Sequence, residues 1–156
     1  MRNKKEVQTN TKVPEIQSSH VILLVSGNYV LQLRDNKPTI AAAGQWSLFG
    51  GMINDNETPL QAIKREVKEE LLITPPEFRF LWFKDYYAIF EKTFIRTFFF
   101  VADVSTEWPN HRLMEGEAAS IFSFNQIQNL DIPSIMRQTI ENFHKGTKIV
   151  GQRANE

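Results

Sequence analysis

The chain contains no cysteine, which removes both a disulfide framework and a thiolate nucleophile and fits a reducing compartment. Net charge is missing too, because 18 Lys and Arg balance 18 Asp and Glu. There is thus no whole-chain electrostatic footprint for long nucleic acid or an anionic membrane, although a small anionic ligand needs only a local site. Long apolar runs are also absent. A run such as VILLV at residues 21–25 is far too short to span a bilayer. The polar first 19 residues lack the apolar stretch of a signal peptide. These absences lead us to expect a cytoplasmic protein with no membrane partner, with a loosely held tail at 1–18, a single domain at 19–148 and a second tail at 149–156.

What is present suffices for one core. The chain has 156 residues, 42% of them apolar, with 12 Phe, an ordinary size for one domain. The stretch HVILLVSGNYVLQLRD reads as a hairpin about Ser26-Gly27-Asn28, with a buried first strand and an alternating second. A loop follows, then a short strand, WSLFGGMI, that runs into two glycines. A helix is predicted from 58 to about 71. The aromatic and β-branched segments at 77–90 and 93–104 read as a strand pair joined through Glu91-Lys92-Thr93. A short strand in AASIFSF, a helical turn at 125–128 and a closing helix at 133–144 complete the order. The predicted architecture is α/β, a mixed sheet with helices packed on its faces.

The helix carries a problem of charge. On a helical projection Leu60, Ile63, Val67 and Leu71 form the core stripe, Gln61, Lys64 and Lys68 lie opposite, and Glu66, Glu69 and Glu70 fill a third arc beside the stripe. Lys64 with Lys68 and Glu66 with Glu70 are like charges four apart, the wrong sign to stabilise an isolated helix. The nearest cation is Arg65, and one arginine cannot neutralise three carboxylates. Such a run is either a solvated face or a place for a hard divalent cation, since Mg²⁺ favours a few carboxylates, waters and substrate phosphates. Ahead of the helix, Gly50 and Gly51 let backbone approach a ligand, and Pro59 suits the first helical turn.

Gly51, Glu57, then Arg65-Glu66-Val67-Lys68-Glu69-Glu70 and Ile73, at this spacing, resemble the Nudix box of the Nudix hydrolases. The flanks LQLRD, WSLFGG and SIFSF are similar to the family as well. Two positions depart from its pattern. Leu72 stands where Gly usually ends the helix in a left-handed conformation, which would strain a leucine by about 1–2 kcal/mol. We therefore expect a different exit, with Thr74-Pro75-Pro76 as the stop. Phe49 replaces a frequent Pro.

The resemblance implies a Nudix-like α/β/α sandwich about a central mixed β-sheet. It also implies hydrolysis of a nucleoside diphosphate linked to another moiety, at the pyrophosphate, with Mg²⁺ as cofactor or Mn²⁺ in its place. It makes Glu66, Glu69 and Glu70 metal ligands, with the Gly51 carbonyl as a further one and Glu66 as the in-box candidate for general base. Arg65 would pair with Glu57 to hold the loop against the helix. Outside the box, Glu117 and, less favoured, Glu115 lie where many relatives carry another acidic ligand or base. Arg34, Gly50 and Gly51 are candidates to touch the substrate. Among Trp82, Phe83, Tyr86 and Tyr87 we expect a base-stacking surface, Tyr86 foremost, with most of the four in the core. Trp46 is expected to pack beside the glycine pair. His20, His111 and His144 are isolated, and their spacing makes no metal site. The expected partner is a small nucleotide, a nucleoside triphosphate or nucleotide sugar ahead of a capped RNA end, and at most a second copy of the chain in a homodimer. A non-catalytic Nudix-like sensor that binds a nucleotide is the alternative, since fold does not fix function.

Overall fold

The computed structural model describes residues 12–146. The first strand, β1 (Ile16–Val25), turns at Ser26 and Gly27 into β2 (Asn28–Leu33), as the hairpin pattern predicts. Short strands β3 (Trp46–Ser47) and β4 (Phe49–Met52) lead to helix α1 (Pro59–Leu71). The long pair β5 (Arg79–Ala88) and β6 (Thr93–Asp103), strand β7 (Ala118–Phe122), the short helix α2 (Phe124–Ile127) and helix α3 (Ser134–His144) follow. Trp108–Asn110, expected as loop, is one turn of 3₁₀ helix. Because β1 begins at Ile16, residues 16–18 belong to the sheet rather than to the tail expected at 1–18; the Ser18 hydroxyl is anchored on Thr97 Oγ1 at 2.7 Å. Most of the two expected tails lies outside the described residues.

The strands form one seven-stranded sheet in the order β3-β2-β1-β6-β5, with β4 added on β1 and β7 on β2. It is mixed, because β1 runs parallel to β6 and antiparallel to β2 and β4. The period-2 geometry of the central strand divides the core in two. Val21 and Leu23 point toward Ile63, Val67 and Leu71 of α1. Ile22 points to the other face, toward Ile127, Met136 and Ile140 of the C-terminal helices. This is the helix-sheet-helix layering that the sequence implies. Strand β2 departs from its expected alternation: Gln32 is buried like its neighbours and donates from Nε2 to the Leu48 carbonyl at 3.2 Å, because both faces of β2 are covered. Trp46 packs edge-on against Phe122, with ring centroids 4.9 Å apart. Among the described residues no helix is long and apolar enough to cross a membrane.

Helix α1 begins with a reciprocal cap. The Gln61 amide donates to Thr58 Oγ1 at 3.1 Å and the Thr58 amide to Gln61 Oε1 at 2.9 Å, which satisfies two otherwise orphan donors. Two expectations for this helix fail. Leu60 is 38% exposed, and Ala62 takes the buried place instead. Leu72, expected to leave the helix by another route, adopts the left-handed conformation itself, with φ 54° and ψ 34°. Its amide still donates to the Lys68 carbonyl at 3.0 Å, and its side chain is half exposed, so no core contact opposes the left-handed cap.

Candidate active site

Helix α1 carries its three box carboxylates at three depths. Glu69 is 59% exposed in its side chain and Glu66 13%, while Glu70 is 1% exposed. The difference follows from the helical period: Glu70 lies next to Leu71 and three beyond Val67, on the edge of the face that packs against the sheet. There the Gly50 amide donates to Glu70 Oε1 at 3.2 Å.

Both glycines are required, for different reasons. Gly50 has φ 149°, and a Cβ on it would sit 2.1 Å from the Ser19 carbonyl oxygen. A Cβ on Gly51 would sit 2.5 Å from Glu66 Oε1. The backbone of β4 can therefore lie directly against the carboxylates only because these positions lack side chains.

Arg65 is saturated. It donates from Nε and Nη2 to the two oxygens of Glu57 at 2.8 and 2.9 Å, and from Nη1 to Glu66 at 2.8 Å and Glu69 at 3.3 Å. Nη2 also reaches the Met52 carbonyl at 3.0 Å. Glu57 in turn accepts the Asn54 amide at 3.0 Å. This is the pair that the sequence suggests would hold the loop against the helix, and it holds Glu57 down to about 2, chiefly through the Arg65 hydrogen bond. Glu70 receives none of this cation. Burial first, then the charges of Glu66 and Glu115, push its carboxyl well above the ordinary range, opposed by the Gly50 amide.

The donor set fits a hard divalent cation. The Glu66 charge disfavours ionisation of Glu70, so the two carboxylates repel when both are ionised. Hard cations take such oxygen ligands, and a buried carboxylate without a counter-charge costs several kcal/mol. Among the described residues no three acidic or imidazole side chains close on one point as a finished cage, since Glu69 is turned outward onto Arg65.

The other candidates fall into two groups. Arg34 and Tyr86 line a cavity of about 730 Å³ that also borders Gly50, Gly51 and Met52. Arg34 is held there by its Nε bond to the Ala41 carbonyl at 2.9 Å. The Tyr86 hydroxyl accepts from Thr97 Oγ1 at 3.2 Å. Glu117 and Glu115 are exposed in the loop before β7; the Glu117 amide is bound to the Leu33 carbonyl at 2.9 Å. Of these two, Glu115 is the one whose charge reaches Glu70. Trp82 is core and Phe83 lies under the Arg96 guanidinium at 4.1 Å, so neither offers a face to a base. Tyr87 lines the cavity beside Tyr86.

Sequence reasoning passed over His20, which lies on the cavity wall. A signal existed: in SSHVILLV the positions that face the α3 side read Ser18, His20, then Ile22. A buried central strand whose one face starts polar and turns apolar marks the end of the core and the start of a pocket.

The family model for the NUDIX domain matches residues 16–143. Among solved structures, the MutT protein of Methanosarcina mazei superposes with a TM-score of 0.73 at 23% identity, over 88% of this chain and 99% of that one. The NUDIX domain of Shewanella oneidensis NrtR, solved with ADP ribose, gives 0.71 at 16% identity, over 90% and 94%. A bifunctional NMN adenylyltransferase/ADP ribose pyrophosphatase of Francisella tularensis, solved with AMP and a Mn ion, gives 0.67 at 18% identity, over 88% of this chain and 43% of that one. Among curated proteins none matches. The chain belongs to the Nudix family.

Proposed function

We propose that the chain hydrolyses the pyrophosphate bond of a small nucleotide, a nucleoside diphosphate linked to another moiety, with a nucleoside triphosphate or nucleotide sugar as substrate. The observation that carries this reading is the continuity of the cavity with Gly50 and Gly51, against which the Glu66 and Glu70 carboxylates lie. A pyrophosphate at the glycines would leave the rest of the nucleotide in the cavity. The chemistry at the two ends differs, which suits a ligand with one anionic and one flat apolar part.

Glu66, Glu69, Glu70 and the Gly51 carbonyl would hold Mg²⁺, or Mn²⁺ in its place. When bound, that ion neutralises pyrophosphate charge, orients the leaving group and lowers the pKa of an attacking water. Glu66 is the candidate general base within the box, and Glu117 or Glu115 outside it. Arg34 faces the cavity as a cation for a phosphate oxygen. Arg65, consumed by Glu57, Glu66 and Met52, acts as a positioning residue rather than as a contact to substrate. The chain's lack of cysteine and of net charge suits a cytoplasmic enzyme acting on free nucleotides.

Phosphate release from nucleoside triphosphates, oxidised nucleotides, nucleotide sugars, ADP-ribose and a capped oligonucleotide, with and without Mg²⁺ near 0.15 M salt, tests the proposal. Mg²⁺-dependent release from a free nucleotide is the expected result. Nucleotide binding without any hydrolysis would leave the sensor reading instead. Faster turnover of the capped oligonucleotide would show that net charge is a poor guide to this surface.

A further inference from the structure

We propose that the Tyr86 hydroxyl and the Glu91 carboxylate read the 2′,3′-diol of a ribose seated in the cavity. This deepens the nucleotide reading above and rests on it.

The first observation is a spare proton. Ser18, Thr97 and Tyr86 form a chain of three hydroxyls: Ser18 Oγ lies 2.7 Å from Thr97 Oγ1, and Thr97 Oγ1 donates to the Tyr86 oxygen at 3.2 Å. Each hydroxyl has one proton. The Thr97 proton is committed to Tyr86, so Ser18 donates to Thr97, and the Tyr86 proton is left with no acceptor among the described residues. Thr97 is fully buried, whereas Tyr86 is partly exposed and lines the cavity. Tyr86 therefore offers a ligand a donor that its own surroundings do not use.

The second is an acceptor without a donor. Glu91, in the β5–β6 turn, lines the same cavity and is partly buried, and its carboxylate has no ion pair or hydrogen bond among the described residues. A carboxylate only accepts. Its charge reaches the Tyr86 hydroxyl: burial pushes that hydroxyl above its ordinary value, the Thr97 bond opposes the rise and the Glu91 charge adds to it. One hairpin thus presents a donor and an acceptor to the same space.

The third is the match of kind and place. A ribose hydroxyl accepts and donates at one oxygen, so it can accept from Tyr86 and donate to Glu91 while its neighbour donates to the second carboxylate oxygen. A phosphate would be repelled by Glu91 and is met by Arg34 instead. The other polar side chains of the lining do not make this pattern: Gln45 is turned onto Asp131 at 2.9 Å, and Ser47 and Ser134 carry hydroxyls that serve either role. Ser18 pairs with Met52 on one side and with Thr97 on the other. The Tyr86 hydroxyl is therefore about two strand spacings, roughly 10 Å, from the glycine strand. A nucleotide whose phosphates meet Gly50 and Gly51 passes this wall with its sugar, the unit joined directly to the phosphate, ahead of its base.

Isothermal titration of the full chain with Mg²⁺ provides the test, using the four ribonucleoside 5′-monophosphates, their 2′-deoxy and 3′-deoxy counterparts, and inorganic pyrophosphate. The wild type should bind the ribonucleotide about 10-fold or more tighter than either deoxy counterpart, the size of one charge-assisted bond. Tyr86→Phe and Glu91→Ala should each compress that ratio below about 3-fold while leaving pyrophosphate affinity unchanged. Both variants should melt near the wild type, because Thr97 can turn its proton onto Ser18 in the first and the second removes a carboxylate with no protein partner. Glu91→Ala serves alone if Tyr86→Phe fails to fold. Wild-type binding that is absent or equal for ribose and deoxyribose forms, a preference among bases with none between sugars, or a sugar ratio retained in either folded variant would each overturn the proposal. A sugar preference that depends on Tyr86 and Glu91, without any hydrolysis, would overturn the enzymatic reading and leave this one standing.

Discussion

The two ends of the candidate site are built in opposite ways. The carboxylate end comes from one continuous stretch, residues 50–73, in which helix, loop and glycine strand are tied by short-range bonds: Arg65 to Glu57 and Met52, Gly50 to Glu70. The cavity end is assembled from segments far apart in sequence, the loop at Ile40 to Ala42, the β5–β6 turn at Ile89 to Glu91, and the start of α3 at Pro133 to Met136. The first end is a close-packed charge arrangement in which Arg65 is shared among Glu57, Glu66 and Glu69, and Glu70 is buried against the Gly50 amide. The second is a mostly apolar surface with His20 and Arg34 set into it. Chemistry and substrate choice are thereby separated, and substitutions should divide along the same line.

The largest effect is expected at the carboxylate end. Glu69→Gln and Glu70→Gln should each lower kcat by about 100-fold or more, beyond what loss of a merely outer partner of a metal ligand typically costs. Both should keep the fold. Because the folded Glu70 carboxyl is raised, its contribution to the stability of the metal-free wild type should be fully present below its ordinary value of 4.5 and be lost as pH climbs above it. Glu70→Gln should abolish that loss, and Mg²⁺ should restore wild-type stability most at high pH. Thermal unfolding in chelator across pH, alongside steady-state rates, checks both statements; near-wild-type rates at saturating Mg²⁺ in the two variants would dissolve the distinction between the ends.

At the cavity end the expected signature is in KM. Arg34→Gln removes a charge-assisted bond worth about 1.5–3 kcal/mol, so KM should rise about 10- to 100-fold, with kcat changed little. A fall in kcat of the same size as the rise in KM would place Arg34 on the chemical side of the boundary.

The loop clamp has a milder and pH-marked role. Glu57 is held down to about 2 by Arg65, so its stabilisation is complete above the ordinary value of 4.5 and disappears as pH falls through about 2. Glu57→Gln should melt below wild type at pH 7 and converge with it near pH 2. A temperature difference that persists at low pH would mean that packing, not the ion pair, holds the loop.

The same contrast explains what could be read from the chain alone. The order of elements along the chain, the hairpin, the helix start and the box carboxylates were legible because each is specified by neighbours within a few residues: alternation, Pro59 in the first helical turn, glycines beside acids. The depth ordering of Glu66, Glu69 and Glu70 was not, since the arc of a helix says which side a residue faces and not how close the sheet comes. Leu60 fell outside the core for that reason. The walls of the cavity were illegible because β1, β4 and the Pro133 segment meet only in the folded chain; Ser18 and His20 ahead of Ile22 on one face of β1 signal where the core ends and not what closes the gap.

The smallest expected effect tests how independent the two ends are of the helix exit. Leu72 is left-handed at φ 54°, a conformation that costs an L-residue about 1–2 kcal/mol, and its half-exposed side chain contributes little burial. Leu72→Gly removes the strain but adds freedom to the unfolded chain that costs about 0.5–1 kcal/mol. The net gain should be at most about 1 kcal/mol, or about 2–4 °C in melting temperature for a chain of this size. Activity should not change, because Glu70 is fixed by the Gly50 amide and by Val67 and Leu71 in the core rather than by the residue that follows the helix. If calorimetry finds Leu72→Gly more stable while its kcat falls several-fold, the strained exit is what aims Glu70, and the carboxylate end extends past the helix into the loop that follows it.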